Sequence, residues 1–421
     1  MRRAAAAAMA VAIAGAALSA CGSAAQVATV GLGSSSALKP GSPIKLGVLT
    51  SMTGPAAPDF DTMALGVKAR LGLQNAEGGV DGHRLQYVTA DDASSGPGAA
   101  TAAQELIEKD GVFGIAEATP FFAGGYRVTT AAGIPVAGWG IDNGPEWSAK
   151  MAPNVFDAYG YSNDSAATTT WGTWFKSVGA TKVGAVGYGN SPSAAMAATG
   201  AVDSAKAVGL HGGFLDNTLP LGSTNVGPVV QQIKASGVNG LYLPIDGNTA
   251  FAIVQGLQQA GVRLRSVVLA TGYGQDTLDS PATRQAAQNV DFQTTPLPAE
   301  VNTPATVAMV SALKKYAGVT GVPSFGEYAG WMTADLFIRG LRLSGRDISQ
   351  HGFITRLRAG DWNSAGLESP VSYSRIKLTG GAQDQDGCVN ITRLEGTRFV
   401  PQNRGKPVCG KPVPGVTIAS P

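Results

Sequence analysis

Few residues in this 421-residue chain are placed to make or break bonds. The three histidines, His83, His211 and His351, lie far apart with no metal-ligand spacing around them, so each reads as a surface or packing residue. A serine hydrolase is marked by a Gly-x-Ser-x-Gly turn, and Gly187-Tyr188-Gly189-Asn190-Ser191 has the wrong spacing. A Ser-His-Asp arrangement would have to be assembled from distant residues, which leaves a hydrolase as a remote alternative. Gly138-Trp139-Gly140 and the Gly187 turn both lack the remaining glycines of a dinucleotide cradle. Asp384-Gln385-Asp386-Gly387 begins like a calcium loop but has no glutamate at the required distance, and a turn is the simpler reading. No cofactor, no metal and no catalytic residue are expected. The side chains that do invite chemistry are three cysteines: Cys21, Cys388 and Cys409.

Cys21 stands behind a leader. Arg2 and Arg3 precede an apolar run over residues 4–17, too short to span a bilayer, and then Leu18-Ser19-Ala20-Cys21. A basic start, a short apolar core and a small-residue exit describe a secretory signal over residues 1–20. Its ending resembles a bacterial lipoprotein box, which implies that Cys21 becomes the acylated first residue. More than one acyl chain, at about 0.8 kcal/mol per buried methylene, anchors stably where one would not. Residues 21–42, rich in Gly, Ser and Ala, read as a flexible tether. Export to an oxidising compartment leaves Cys388 and Cys409, which we read as a disulfide closing the last hairpin, worth about 3 kcal/mol on the chain-entropy model. Two free thiols or a metal pair are the alternatives. Loss of Arg2 and Arg3 with the leader leaves 29 basic residues against 29 acidic ones. Zero net charge carries no electrostatic footprint for nucleic acid or acidic lipid, so no nucleic-acid partner is expected and membrane contact falls to the lipid alone. No later apolar stretch approaches membrane-spanning length.

The remaining residues alternate between strand-like and helix-like runs. Residues 44–49 read as a buried first strand, and Met63, Val67 and Leu71 give the following helix one apolar face, stopped at Gly78-Gly79. Strands are expected at 87–90, 112–115 and 134–137. Ala99, Ala102, Ala103, Leu106 and Ile107 stripe one intervening helix, and another opens at Thr119-Pro120, a cap followed by proline at the first helical position. A second set follows: a helix after Ser162-Asn163-Asp164 with Ala167, Trp171, Trp174, Phe175 and Val178 on its core face, then strands at 183–188, 241–243 and 267–269 between helices. Residues 303–343 are mostly helical, and strands return at 371–378 and 389–400. Regular alternation with short turns argues for an α/β fold of parallel sheets flanked by helices. Two such sets argue for two lobes.

The mature chain resembles the leucine/branched-chain amino-acid-binding family of type I periplasmic binding proteins. Lys45-Leu46-Gly47-Val48-Leu49-Thr50-Ser51-Met52-Thr53-Gly54-Pro55 carries the likeness, with Asn75-Ala76-Glu77-Gly78-Gly79-Val80-Asp81-Gly82, Asp91-Asp92, Gly133-Ile134-Pro135-Val136 and Glu395-Gly396-Thr397-Arg398-Phe399-Val400-Pro401. The resemblance implies a two-lobed fold joined by a three-stranded hinge, crossing near residues 156–160, 291–295 and 380–387. Lobe one would comprise residues 43–157 and 293–380, lobe two residues 158–292, and residues 381–421 a tail shared between them. It further implies a monomer, lipid-anchored on the outer face of the cell membrane, that captures a small molecule for the permease subunits of an ABC transporter. A sensor presenting the same closed form to a signalling receptor is the alternative, since both use ligand-stabilised closure.

In open parallel sheets ligands lie beyond the carboxyl ends of the strands. That rule selects the loops 50–61, 117–122, 139–143, 188–193, 244–248 and 271–275. The family's amino-acid binders hold the carboxylate with serine hydroxyls and backbone N–H groups after the fourth strand, and the ammonium with an acid from lobe two. Here the serine positions carry Pro120, Phe121 and Phe122, and the next grip falls at Ile141 and Asn143. Asp59 or Phe60 replaces a tyrosine, and the ammonium acid becomes Gly272 or Tyr273, leaving Asp246 as its nearest substitute. Thr119, with the N–H groups that follow it, would be the carboxylate partner. Phe60, Phe121, Phe122, Trp139, Tyr188 and Tyr273 are aromatics on these surface loops, and each either lines the cleft or packs in the core. The expected solute is uncharged or partly aromatic rather than a free α-amino acid.

Overall fold

The computed structural model describes residues 32–142, 144–158, 166–294, 296–375 and 387–418. The leader, Cys21 and the tether as far as residue 31 lie outside the described residues. So do Asn143, residues 159–160 of the first expected crossing, Thr295 of the second and residues 380–386 of the third.

Five parallel strands form the first sheet: β1 (Ile44–Thr50), β2 (Leu85–Asp91), β3 (Gly114–Ala118), β4 (Val136–Gly138) and β5 (Val155–Asp157), in the order β2-β1-β3-β4-β5. Six of the seven residues of β1 are buried, as a central strand covered on both faces requires. Its register sets Thr50 beside both Asp91 and Ala118, so the carboxyl ends of the strands share one edge. After β6 (Ala166–Thr168) the second sheet takes up β7 (Lys182–Tyr188), β8 (His211–Leu219), β9 (Gly240–Leu243), β10 (Ser266–Leu269) and β11 (Asp291–Thr294). These run parallel in the order β8-β7-β9-β10-β11.

The chain then returns to the first sheet. Helix Phe325–Ser344 lies along helix Met63–Ala76 with backbones in contact, because a side chain at Gly330 would meet the Met63 carbonyl at 2.0 Å and one at Gly66 the Glu327 carbonyl at 2.1 Å. Phe337 and Phe353 pack edge-on and tilted against Phe113 below the sheet. The ribbon β12 (Asp361–Trp362) and β13 (Val371–Ser372) closes this segment.

Four tail strands follow: β14 (Cys388–Glu395), β15 (Arg398–Pro401), β16 (Val408–Cys409) and β17 (Pro412–Thr417). β14 pairs antiparallel with β11, and β15 and β16 with β14. β17 pairs with β6. Cys388 and Cys409 face each other across β14 and β16 and form a disulfide.

Several elements differ from expectation. No helix opens at Thr119-Pro120: a short 3-10 turn spans Phe122–Gly124, and the helix starts at Tyr126. The Thr119 hydroxyl is drawn into hydrogen bonds with Asp92 and Ser51 instead of capping. Ala167 belongs to β6, and the helix behind it spans Thr170–Ser177. β8 carries exposed and half-buried residues, a polar edge strand that buries too little to show an apolar run. Of the strand expected at 371–378, only Val371–Ser372 is a strand among the described residues. The described tail strands all pair with the second sheet or with β6, not with both lobes.

Candidate ligand cavity between the two sheets

A cavity of about 940 Å³ opens where the carboxyl ends of the two sheets face each other. Each wall is placed by a strand end or a helix start. The loop after β1 folds into the short helix Ala57–Phe60, which carries Asp59 and Phe60 to the cleft. Trp139 follows β4, Tyr188 ends β7, Asp246 follows β9, and Thr271 and Tyr273 follow β10. The return segment adds Phe325 and Tyr328 from the first turns of their helix, held by a capping box between Ser324 and Glu327. Phe325 receives Phe60 and Trp139 edge-on, with ring centroids 5.5 and 6.2 Å away.

Two acids from opposite lobes meet here. Asp246 caps helix Gly247–Gln259, accepting the Thr249 N–H at 3.0 Å on Oδ1, and takes the Tyr188 hydroxyl on Oδ2. Asp59 lies across the cleft near Thr271 and Gly247, whose O–H and N–H dipoles favour its charged form, while the Thr271 hydroxyl itself donates to the Ile245 carbonyl at 3.2 Å. Burial first and the nearby Asp246 second push the Asp59 carboxyl up to about 7, against the pull of those two donors. Burial and Asp246 likewise raise Tyr188.

The tyrosine hydroxyls are engaged inside the protein, so the rings are what the cavity meets. Tyr273 donates to Glu300 Oε2 at 2.6 Å and accepts the Ala299 N–H at 3.0 Å. Tyr328 donates to the Leu297 carbonyl at 3.1 Å, and Tyr242 to Gln293 Oε1 at 2.8 Å. The charged side chains of the lining are Asp59, Asp246 and Lys411, the last exposed on the tail side.

Of the residues selected from sequence, Asp59, Phe60, Trp139, Ile141, Tyr188, Asp246 and Tyr273 line this one cavity. Thr119, Phe121 and Phe122 do not. Thr119 lies in the buried hydrogen-bond network behind the cleft, and the Phe121 N–H is taken by Thr119 Oγ1 at 3.2 Å. Phe122 is fully buried against Trp147, at 6.1 Å between ring centroids. Asn143 falls outside the described residues. The lining also holds residues that sequence reasoning missed: Trp171, Tyr242, Gln293, Phe325 and Tyr328. From sequence, Trp171 shares the core-face stripe of Trp174 and Phe175. Those two are buried, but Trp171 lies over Tyr242 at 4.3 Å and faces the cavity.

Three solved structures share this architecture over nearly the whole chain. An R. palustris ABC-transporter solute-binding protein in complex with 4-hydroxybenzoate is 22% identical, with a TM-score of 0.66 over 88% of this chain and 96% of its own. A second R. palustris solute-binding protein, in complex with benzoate, is 18% identical with a TM-score of 0.70 over 90% and 100%. A fatty acid ABC transporter substrate-binding protein from Thermomonospora curvata is 17% identical, with a TM-score of 0.69 over 88% and 94%. Comparison with curated protein sequences gave no significant match. Residues 43–397 match the family model described as periplasmic binding protein. On that match, which takes in the parallel strands of both sheets and most of the cavity lining, the chain belongs to the type I periplasmic binding proteins of the leucine/branched-chain-binding-like kind.

Proposed function

We propose that this protein is the extracytoplasmic solute-binding lipoprotein of an ABC-type uptake transporter, and that its solute is an uncharged or cationic molecule with a flat, apolar body. The observation that carries the ligand class is the lining itself. It sets eight aromatic side chains around two acids, and its one cation, Lys411, stands exposed on the tail side. A buried carboxylate needs a partner, because leaving a charge unpaired in a dry cleft is prohibitively costly. A free α-amino acid would bring its carboxylate toward a Thr119 whose hydroxyl is already committed to Asp92 and Ser51. Its ammonium would find Gly272 and the Tyr273 ring where the family's acid aligns. Rings of the size held by the R. palustris proteins suit these walls, but their carboxylates would meet Asp59 and Asp246. Aromatic stacking and hydrogen-bond donation to the two acids are what the walls favour.

Calorimetric titration of the matched set benzamide, benzylamine and benzoate, beside leucine, isoleucine, valine and phenylalanine, tests this reading. The amide or the amine should bind about a hundredfold tighter than benzoate, a gap of about 2.7 kcal/mol. Micromolar or tighter binding of benzoate or of any of the four amino acids would sink it.

The anchor is tested separately. Cys21→Ala should release the body from the membrane fraction and abolish its lipid label, since one residue carries every acyl chain. Retention of the variant on membranes after a high-salt wash would show that another element holds it there.

A further inference from the structure

The cavity does not end at the cleft. It continues into the second lobe as an arm bounded by helix Pro192–Ala207, the β6–β17 ribbon and the end of β11. Its walls are mostly apolar, with Ala197 and Gly200 from the helix, Met196 beside them, Ile418 from the tail and Trp171 on the cleft side, and Thr168, Thr170 and Lys411 at its ribbon edge. Ala167, Met196 and Ile418 form a cluster of their own, apart from the main cores, at this end of the cavity. One buried hydroxyl borders this space. Thr294, 6% exposed, lines the cavity, and its Oγ1 has no hydrogen-bond partner among the described residues. A buried hydroxyl left open costs stability unless water or a ligand satisfies it.

We infer that cleft and arm together form one site for an elongated amphiphile, with a hydrogen-bond-donating head between Asp59 and Asp246 and an extended apolar tail in the arm. The volume supports two compartments. About 940 Å³ lies at the upper end of the roughly 300–1,000 Å³ that drug-sized ligands occupy. A single ring at the two acids would leave the arm holding water against apolar walls. A tail displaces that water and brings apolar surface onto Met196, Ile418 and Trp171, at a gain proportional to the area covered. The head's position rests on the function proposed above; the arm rests on its own walls.

Two homologous series separate these claims: n-alkanols and n-alkylamines from butyl to octyl, titrated by calorimetry. In the full-length protein, affinity in both series should rise by roughly fourfold per methylene until the arm is full. Ala197→Phe should flatten both slopes, because its ring would occupy the arm. Ala197→Leu, a smaller change on the same half-buried face, should move the break to shorter chains, and an unchanged melting temperature shows that it folds. Slopes that are flat in the wild type, slopes untouched by either variant, or no binding at millimolar concentration would overturn the arm. Equal affinity of octylamine and its anionic counterpart octanoate, with the slopes intact, would support the arm and count against the acidic head site instead.

Discussion

Arg393→Ala should destabilise the fold by about 3–5 kcal/mol, the cost of stripping one partner from a buried ion pair. Asp291 ends fully buried at the start of β11, directly opposite Arg393 in the β11–β14 ladder. Its Oδ1 accepts Arg393 Nε at 2.7 Å, and its Oδ2 accepts Nη2 at 3.0 Å and the Ser266 hydroxyl at 2.6 Å. Ser266 in turn accepts the Trp174 indole N–H at 3.1 Å, so the pair closes a chain of buried polar contacts. Burial outweighs the guanidinium and leaves the Asp291 carboxyl raised, while the same contact raises Arg393. Both rise, but the rise disfavours the charge on Asp291 and favours it on Arg393, because the carboxylate is wholly buried and carries the desolvation. In the variant the carboxylate keeps only Ser266.

The pH dependence of that loss has a definite sign. A raised native carboxyl binds its proton more tightly than the unfolded chain does, so stability falls as pH rises from the ordinary carboxyl range through the native value. Loss of the guanidinium raises that value further. The deficit of Arg393→Ala should therefore be largest near pH 8 and shrink near pH 5. Asp291→Asn combined with Arg393→Met should recover most of it, since neither partner is then left charged. Urea unfolding at both pH values measures this. A loss below about 1 kcal/mol at pH 8 would mean that the pair is solvated rather than buried.

Local signals made most of the scaffold legible. β1 reads from sequence as a buried strand and is one, and β9 and β10 show short apolar runs between helices. The strand-end rule selected the loops, and the family resemblance the positions on them; Asp59, Phe60, Trp139, Ile141, Tyr188, Asp246 and Tyr273 lie on one lining. Its failures have two causes. Thr119-Pro120 has the composition of a helix start, but Asp92 and Ser51 take the hydroxyl, and the delayed helix turns Phe122 into the core. Trp171 shares the helical period of Trp174 and Phe175, and periodicity cannot tell a core from a cavity wall. Phe325, Tyr328, Tyr242 and Gln293 reach the site through packing between segments distant in sequence. No local pattern marks such contacts.

Affinity for an uncharged solute should fall by up to about a hundredfold between pH 5 and pH 7, then level off, and Asp59→Asn should abolish the fall. Asp59 belongs to the first lobe, whereas Thr271, Gly247 and Asp246, which act on its carboxyl, belong to the second. Opening the cleft returns its carboxyl to water and to an ordinary value near 3.8; closing it raises the value to about 7. Between those values the closed form holds a proton that the open form has lost, so closure takes up one proton. Linkage then weakens closure about tenfold for each pH unit in that window and adds nothing above it. The slope also reports what lies between the lobes. An uncharged ligand leaves Asp59 facing Asp246 and keeps the slope, whereas a cationic head holds Asp59 ionised and removes or reverses it. Titrations of benzamide and benzylamine from pH 5 to 8, on wild type and Asp59→Asn, read both effects at once. A wild-type slope for the amide no steeper than that of the variant would mean that Asp59 stays ionised in the closed cleft. The two acids would then share their charge with the donors of helix Gly247–Gln259 alone, and the preference for uncharged over anionic solutes would have to grow, not fade, as the pH rises.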